Sequence, residues 1–353
     1  MISKEAAIGS LTVRQQDLTV DWRPPRKYDL LIAALSWETR ATAALATLSG
    51  DLPRLSLIKF KSWNDAIEDR KLAMLAEIRK FATIAETVSL APSTDSQENF
   101  STLEAWIREK YVAVKRPLRI LIDITCIPKS YLLFLIGLGF TRDYFACFDC
   151  IYAGGKYDLN QEASSLEGSK PAIGGPRSLI SLGDWRSTLI PYLTAGQYLP
   201  GTIDLIVAMG GELGLSLPFI ERVEPGRLKL IFIEETAPND NLPMLASERS
   251  ALNDLMSAPN VTRTDHGLCD VIGVAQEAVA FCRSGPSAGT TGMALGSKPH
   301  AIALAVAALA ETKMGVLTRV PVSYKTVDVE PSGRMLFVQV EDRFDPCSYI
   351  DVP

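Results

Sequence analysis

The sequence lacks most of what nucleic-acid-binding and metal-binding proteins rely on. Its net charge is −5 and its pI about 5.3, so there is no basic excess to build an extensive nucleic-acid surface. Its closely spaced cysteines, Cys147 and Cys150, have no second pair to complete a zinc site. We therefore expect no metal and no extensive nucleic-acid surface. We expect buried free thiols at this pair, with redox or metal chemistry as the alternative.

Long apolar runs are also missing. The longest, residues 131–140 and 301–310, are about half the length that spans a bilayer. The first residues lack the apolar core and cleavage site of a signal peptide. We expect a cytoplasmic protein with no membrane partner, in which these two runs form equivalent buried helices.

Common catalytic and cofactor motifs are absent. The sequence has two histidines, His266 and His300, and neither a Gly-x-Ser-x-Gly elbow nor a His-Glu-x-x-His pair. The Gly-x-Gly-x-x-Gly and P-loop patterns are missing as well. These absences argue against a classical dinucleotide site, and we expect no cofactor.

The sequence does contain a regular alternation of predicted strands and helices. Buried-strand runs alternate with helical segments over residues 28–155 and again over residues 201–341. This pattern predicts an α/β protein with two tandem domains, each with a mostly parallel sheet. Residues 1–27 are predicted as an N-terminal extension, residues 156–200 as a linker or covering loop, and residues 342–353 as a C-terminal tail. The last two strands, after residue 314, are predicted to form an edge hairpin of the second domain.

The two halves open in the same way. Residues 31–38 align with residues 205–212 without a gap, and each half continues to a lysine-bearing turn before an apolar helix. Similar features at similar spacing indicate an internal duplication. The predicted equivalent pairs are Glu38 with Glu212 and Lys129 with Lys298.

Distinctive residues follow the predicted strands, at the edge where doubly wound sheets bind ligands. In the first half the candidate ligand-binding residues are Ser36, Trp37, Glu38, Arg40, Asp123, Thr125 and Lys129. In the second half they are Gly210, Gly211, Glu212, Thr291, Ser297 and Lys298. The glutamates can instead cap helices, and the glycines can serve tight turns.

The most informative stretch runs from Thr290 to Pro299. A strand leads into a Gly-Ser-Lys turn, and a helix begins with proline at an early position. Backbone amides, the Ser297 hydroxyl and the Lys298 ammonium can converge there on an anion. The alternative is a capping serine beside a solvated lysine.

This turn resembles the strand–turn–helix signature of CARF domains, Rossmann-like sensors of cyclic oligoadenylates. Gly296, Ser297 and Lys298 match the turn, and residues 301–310 match the helix of small apolar residues that follows. The resemblance covers residues 203–341. The chain also resembles the SAVED domain, which is similar to two fused CARF-like units. In the first half only Lys129 of the turn is kept.

The resemblance implies a ligand-binding sensor or adaptor for a nucleotide signal, cyclic or otherwise, in prokaryotic antiviral defence. Its partners would be a small-molecule nucleotide and an effector protein or further copies of the chain. The alternative is a nucleotide-processing enzyme that uses the same pocket, either a metal-independent phosphodiesterase or a glycosidic-bond hydrolase. The alternative requires a nucleophile or base with a shifted pKa inside the pocket.

Overall fold

The computed structural model describes most of the chain. The described residues are 3–18, 22–48, 52–62, 64–156, 181–195, 203–210, 216–234, 246–286, 288–324 and 328–343. They form two compact units, one from the residues before 157 and after 325, the other from the residues between.

The first unit is built on an eight-stranded sheet. Its strands are β1 Lys4–Ile8, β2 Leu11–Asp17, β3 Leu30–Ala34, β4 Leu55–Phe60, β5 Ile84–Leu90, β6 Leu118–Asp123, β7 Phe145–Lys156 and β14 Glu330–Asp342. Its α-helices are α1 Asp65–Ile78, α2 Ser96–Val114 and α3 Lys129–Thr141, and two 3-10 helices, Thr39–Thr42 and Leu45–Thr47, follow β3.

The strand order of this sheet is β1-β2-β14-β7-β6-β3-β4-β5. The five strands from β7 to β5 are parallel, and β14, β2 and β1 are antiparallel. All five residues of β3 are buried, as expected for an apolar strand covered on both faces.

The second unit is built on a six-stranded sheet. Its strands are β8 Ser181–Leu189, β9 Ile203–Ala208, β10 Leu228–Ile233, β11 Val261–His266, β12 Gly289–Ala294 and β13 Met314–Tyr324. Its helices are α4 Leu217–Val223, α5 Ala246–Met256, α6 Val271–Ser284 and α7 Lys298–Ala310. The strand order is β11-β10-β9-β12-β13-β8, and only β8 is antiparallel.

The two sheets repeat one arrangement. In each, the first parallel strand is central, the second and third lie on one side, and the fourth and fifth lie on the other. An antiparallel strand then pairs with the fifth. The predicted α/β class with two mostly parallel, Rossmann-like sheets is confirmed, and the repeated order is what a duplication predicts.

The predicted boundaries differ from the structure in three places. The N-terminal extension contains β1 and β2, which belong to the first sheet, and the predicted linker contains β8, which belongs to the second. The predicted hairpin of β13 with β14 is wrong. β13 pairs with β8 and β12, whereas β14 pairs with β2 and β7 in the first sheet. Residues 330–341 are therefore not part of the second domain.

The two apolar runs form buried helices, as predicted. In α3 every residue from Ser130 to Gly139 is buried, and in α7 every residue from Pro299 to Ala308. A helix that is apolar on all sides requires such burial. None of the helices among the described residues is long and apolar enough to cross a membrane.

Cys147 and Cys150 are buried free thiols, as predicted. Burial raises the pKa of both thiols, so they stay protonated. This pair packs as small apolar residues of β7.

Candidate functional site

Two crevices are expected from the topology, one in each unit. They lie at the carboxyl ends of the strands where the strand order reverses, between β3 and β6 and between β9 and β12. Most candidate residues lie at these ends, because they are the last residue of a strand or follow one. Thr291 is the exception, since it lies inside β12 opposite Leu205. Gly211 and Glu212 lie outside the described residues. The predicted equivalence of Glu38 with Glu212 therefore falls outside them too.

The lysine pair is placed as the duplication predicts. Lys129 is the first residue of α3 and Lys298 the first residue of α7, each after the fourth parallel strand of its sheet. Both side chains are half-buried.

In the first unit, the polar residues after β6 are used within the unit. The Thr125 amide donates to the Asp123 Oδ1 at 2.9 Å, and the Thr125 Oγ1 accepts from the Ala153 amide at 3.0 Å. Both side chains are at most 2% exposed. These bonds attach the loop after β6 to β7, and they leave the two side chains little surface for a ligand.

The residues after β3 are also mostly internal. Ser36 and Arg40 are buried, and the Arg40 Nε donates to the Glu38 Oε2 at 2.6 Å. Glu38 occupies the capping position of the 3-10 helix, but its side chain does not cap it. A Cβ at Gly155 would lie 2.6 Å from the Arg40 Nη1, so β7 needs glycine there to accommodate the guanidinium. Trp37 remains half-buried.

The segment leading into β14 covers this position further. The Asp328 carboxylate accepts from the Thr39 amide at 2.8 Å and from the Thr39 hydroxyl at 2.7 Å. The Val329 carbonyl accepts from the Arg40 amide at 3.1 Å. Burial tends to raise the pKa of Asp328, but the hydrogen bonds from Thr39 and from the Val329 amide, together with the charge of Arg70, lower that pKa. A carboxylate of the chain itself thus lies at the amino end of the short 3-10 helix, the end that favours negative charge.

In the second unit, two glycines bring the loops after β9 and β12 into backbone contact. The Gly296 amide donates to the Ala208 carbonyl at 2.7 Å. A Cβ on Gly296 would lie 2.8 Å from the Met209 carbonyl oxygen, and one on Gly210 would lie 2.9 Å from that of Leu295. Gly210 therefore serves a close backbone approach in this crevice.

Ser297 caps α7, as the alternative interpretation of this serine predicts, while the adjacent Lys298 is half-buried rather than fully solvated. The Ser297 Oγ accepts from the His300 amide at 3.2 Å and donates to the Leu268 carbonyl at 3.0 Å. The His300 Nε2 lies 2.9 Å from the Gly267 carbonyl oxygen. These bonds attach the loop after β11 to the start of α7, beside Lys298.

The same loop holds a histidine–aspartate pair. The His266 Nδ1 lies 3.1 Å from the Asp270 Oδ2, while the Asp270 Oδ1 accepts from the Gly273 amide at 3.2 Å and caps α6. Neither His266 nor Asp270 was among the candidate residues predicted from the sequence. An Asp-x-x-Gly capping pattern four residues after a histidine that ends a strand is the signal that could have found the pair.

His300 is enclosed, in contrast to His266. Its side chain has no exposed surface, and burial lowers its pKa to about 4, against the smaller opposing effect of the hydrogen bond to Gly267. The ring is therefore neutral near pH 7.

A further polar cluster is buried in the first unit, around Asp149 in the middle of β7. Tyr28 donates to its carboxylate at 2.6 Å, Gln339 at 3.3 Å, and the Arg26 Nε lies at 3.2 Å. Burial raises the pKa of Asp149 to about 6, against the lowering effect of Arg26. Arg26 also pairs with Glu341 of β14. The cluster connects β14 and the segment before β3 to β7. It lies away from the carboxyl ends of the parallel strands.

No metal site is evident in the part of the chain that the structure describes, where no group of three or more His, Cys, Asp or Glu side chains could hold an ion. Comparison of the chain with protein-family models found no match, and comparison with curated proteins found none either. The fold and site define an α/β protein with two doubly wound sheets of the same strand order and, in its second unit, a half-buried loop–turn cluster formed by residues 266–270 and 296–298.

Proposed function

We propose that this loop–turn cluster binds a small anionic ligand of the nucleotide class, and that the chain is a sensor or adaptor for it. The observation that carries the proposal is the position of Lys298. It is half-buried on the first turn of α7, beside the point where the strand order reverses, and amides at a helix start favour anions.

Of the two units, the second is the better candidate for the ligand-binding site. Four of the seven candidates in the first unit, Ser36, Arg40, Asp123 and Thr125, are buried. The other three are half-buried, whereas in the second unit all the described candidates are half-buried, as are all five residues of the loop from His266 to Asp270. A ligand can reach the second group without unpacking it.

The biological setting of the proposal comes from the resemblance to CARF and SAVED domains. It would be antiviral defence in prokaryotes, with a cyclic nucleotide as the signal. An effector protein or a further copy of the chain would then respond to the bound state.

The second candidate function is a nucleotide-processing enzyme. The observation that favours it is the His266–Asp270 pair, because a histidine oriented by a carboxylate is a common proton acceptor in catalysis. Chromatography of nucleotides incubated with the protein tests this function directly. New products that depend on His266 would favour the enzyme over the sensor.

A thermal-shift screen with linear and cyclic ribonucleotides tests the binding proposal. A nucleotide present at 100 times its Kd should stabilise the protein by about 2.7 kcal/mol, because it binds the folded state alone. The absence of any shift across linear mononucleotides and cyclic mono- and oligonucleotides would contradict the proposal.

Lys298→Ala should weaken binding on the order of 10- to 100-fold in calorimetric titration. A charge-assisted bond contributes about 1.5–3 kcal/mol, and alanine is a favourable residue on a helix, so folding should be nearly intact. Lys129→Ala is the matched control, since it removes the corresponding lysine at the start of α3. Equal affinity in wild type and Lys298→Ala, or an equal loss in both variants, would refute the assignment to this turn.

A further inference from the structure

His266 presents one ring nitrogen that no described group of the protein uses. Its Nδ1 bonds Asp270, and within the described residues no group bonds its Nε2. The side chain is 16% exposed, which allows contact with a small molecule. His266 therefore combines a fixed orientation with an available nitrogen.

The hydrogen bond to Asp270 sets the tautomer of this ring. A carboxylate only accepts hydrogen bonds, so the hydrogen must reside on Nδ1. In the neutral ring Nε2 is then an acceptor with its lone pair directed away from Asp270. The available nitrogen is consequently suited to a hydroxyl or amino donor rather than to a phosphate oxygen.

The local sequence is built to hold this arrangement. Asp270 uses one carboxylate oxygen to cap α6 and the other to bond His266. A Cβ at position 273 would lie 2.9 Å from the His266 Nδ1 and within overlap distance of the Asp270 carboxylate, so Gly273 admits the pair. The carboxylate is thus fixed from two sides before any ligand arrives.

The pair lies one short loop from the proposed phosphate-binding turn. The loop carbonyls of Gly267 and Leu268 are bonded to His300 and Ser297, at the start of the helix that Lys298 opens. In a nucleotide the ribose is the group next to the phosphate, and its hydroxyls are donors. The Lys298 turn and the His266–Asp270 pair are thus neighbours in the protein, as the phosphate and the ribose are in a nucleotide.

We propose that His266, held by Asp270, accepts a hydrogen bond from a ribose hydroxyl of the nucleotide, and so selects ribonucleotides over deoxyribonucleotides. The inference rests on the proposed function. It adds the residue pair that would recognise the ribose of that nucleotide.

The tautomer can be measured without a ligand. Since the chain has two histidines, a long-range ¹H–¹⁵N spectrum of the full chain contains two imidazole rings, assigned with His266→Gln. We expect opposite tautomers at pH 7.5, with hydrogen on Nδ1 of His266 and on Nε2 of His300. Hydrogen on Nε2 of His266 would overturn the inference whatever the protein binds.

Affinity then tests the role of the ring with the tightest-binding linear ribonucleotide of the screen and its 2′-deoxy and 3′-deoxy counterparts. We expect wild type to lose on the order of 3- to 10-fold affinity for one deoxy counterpart, the contribution of one neutral hydrogen bond. His266→Asn should bind all three equally, because its amide reaches Asp270 but has no distal acceptor. His266→Gln should keep the discrimination, because its amide oxygen can replace Nε2.

The outcomes separate the two proposals. Equal binding of all three nucleotides by wild type, or unchanged discrimination in His266→Asn, would overturn the inference and leave nucleotide binding intact. If no ribonucleotide binds wild type, the proposed function itself fails and the inference fails with it.

Discussion

Ser297 holds in place the turn from which the neighbouring Lys298 is proposed to bind a ligand. It caps α7 and also bonds the Leu268 carbonyl. Ser297→Ala removes both bonds, and loss of a helix cap costs about 0.5–2 kcal/mol. We expect this loss in urea denaturation. Ser297→Thr keeps a hydroxyl in place and should retain most of the stability; equal losses in both variants would show that the hydroxyl bonds are unimportant.

His300 should make the stability of the protein depend on pH. Its pKa in the folded state is about 4, below the ordinary value of 6.5, so folding favours the neutral ring. This contribution is complete above pH 6.5 and is lost as the pH falls towards 4, by at most about 1.4 kcal/mol per pH unit.

The measurement is urea denaturation of wild type and His300→Gln between pH 7 and pH 4. Glutamine keeps a donor for the Gly267 carbonyl but does not titrate, so its stability should fall less. Asp149 acts in the opposite direction, because its raised pKa of about 6 makes folding favour the protonated acid. It is present in both proteins, so their difference isolates His300. Parallel curves would contradict the assigned burial.

The two apolar helices contribute stability through complete burial. Leu135 in α3 and Leu304 in α7 have no exposed surface. Replacing either with alanine should cost about 2–5 kcal/mol, the range for a leucine in a packed core. The control is Leu72→Ala in α1, where the side chain is 59% exposed. Near-zero destabilisation in chemical unfolding of Leu135→Ala or Leu304→Ala would mean that these helices do not pack as the structure shows.

Individual elements could be predicted from the sequence because their signals are local. The apolar run of β3 and the ten-residue runs of α3 and α7 indicate buried elements by length and composition. The pairing of the strands could not be predicted in the same way. The alternation of strands and helices along the sequence identifies a strand, but it does not show which sheet that strand joins. The pairing of β14 with β7 depends on residues distant in sequence, such as Arg26 and Asp149, whose contacts exist only in the folded unit.

The candidate site was predictable to a similar extent. The position after the fourth strand of the second half predicted Ser297 and Lys298, whereas His266 was not among the predicted site residues. The covering of the first crevice by Asp328 was not predictable, since Thr39 and Asp328 are remote in sequence and meet only when β14 joins the first sheet.

For the whole molecule, the register predicts two separable units. The ends of the second unit are adjacent, because Ser181 of β8 pairs with Tyr324 of β13. In the first sheet Lys156 pairs with Glu330, so a short turn can join β7 to β14. We expect a fragment of residues 181–324 to fold alone, and also the chain with residues 157–325 replaced by a short linker, which keeps Asp328 and Val329 in the first unit.

Circular dichroism and urea denaturation of the two proteins test this prediction. Each should show helical and strand signal and a cooperative transition, because each retains a complete sheet. A fragment that shows neither would demonstrate that its unit depends on the other for folding.

The place of β14 has a consequence for biosynthesis. Of the described strands, β1 and β2 emerge first from the ribosome, yet they join the first sheet only through β14, which emerges last. At about 5–20 residues per second, the intervening segment takes on the order of ten seconds or more to translate. During that time β7 keeps an unprotected edge, which is the kind of surface that chaperones recognise and that invites aggregation. The second unit has all its strands in one continuous stretch and can finish folding while the first still waits for its last strand.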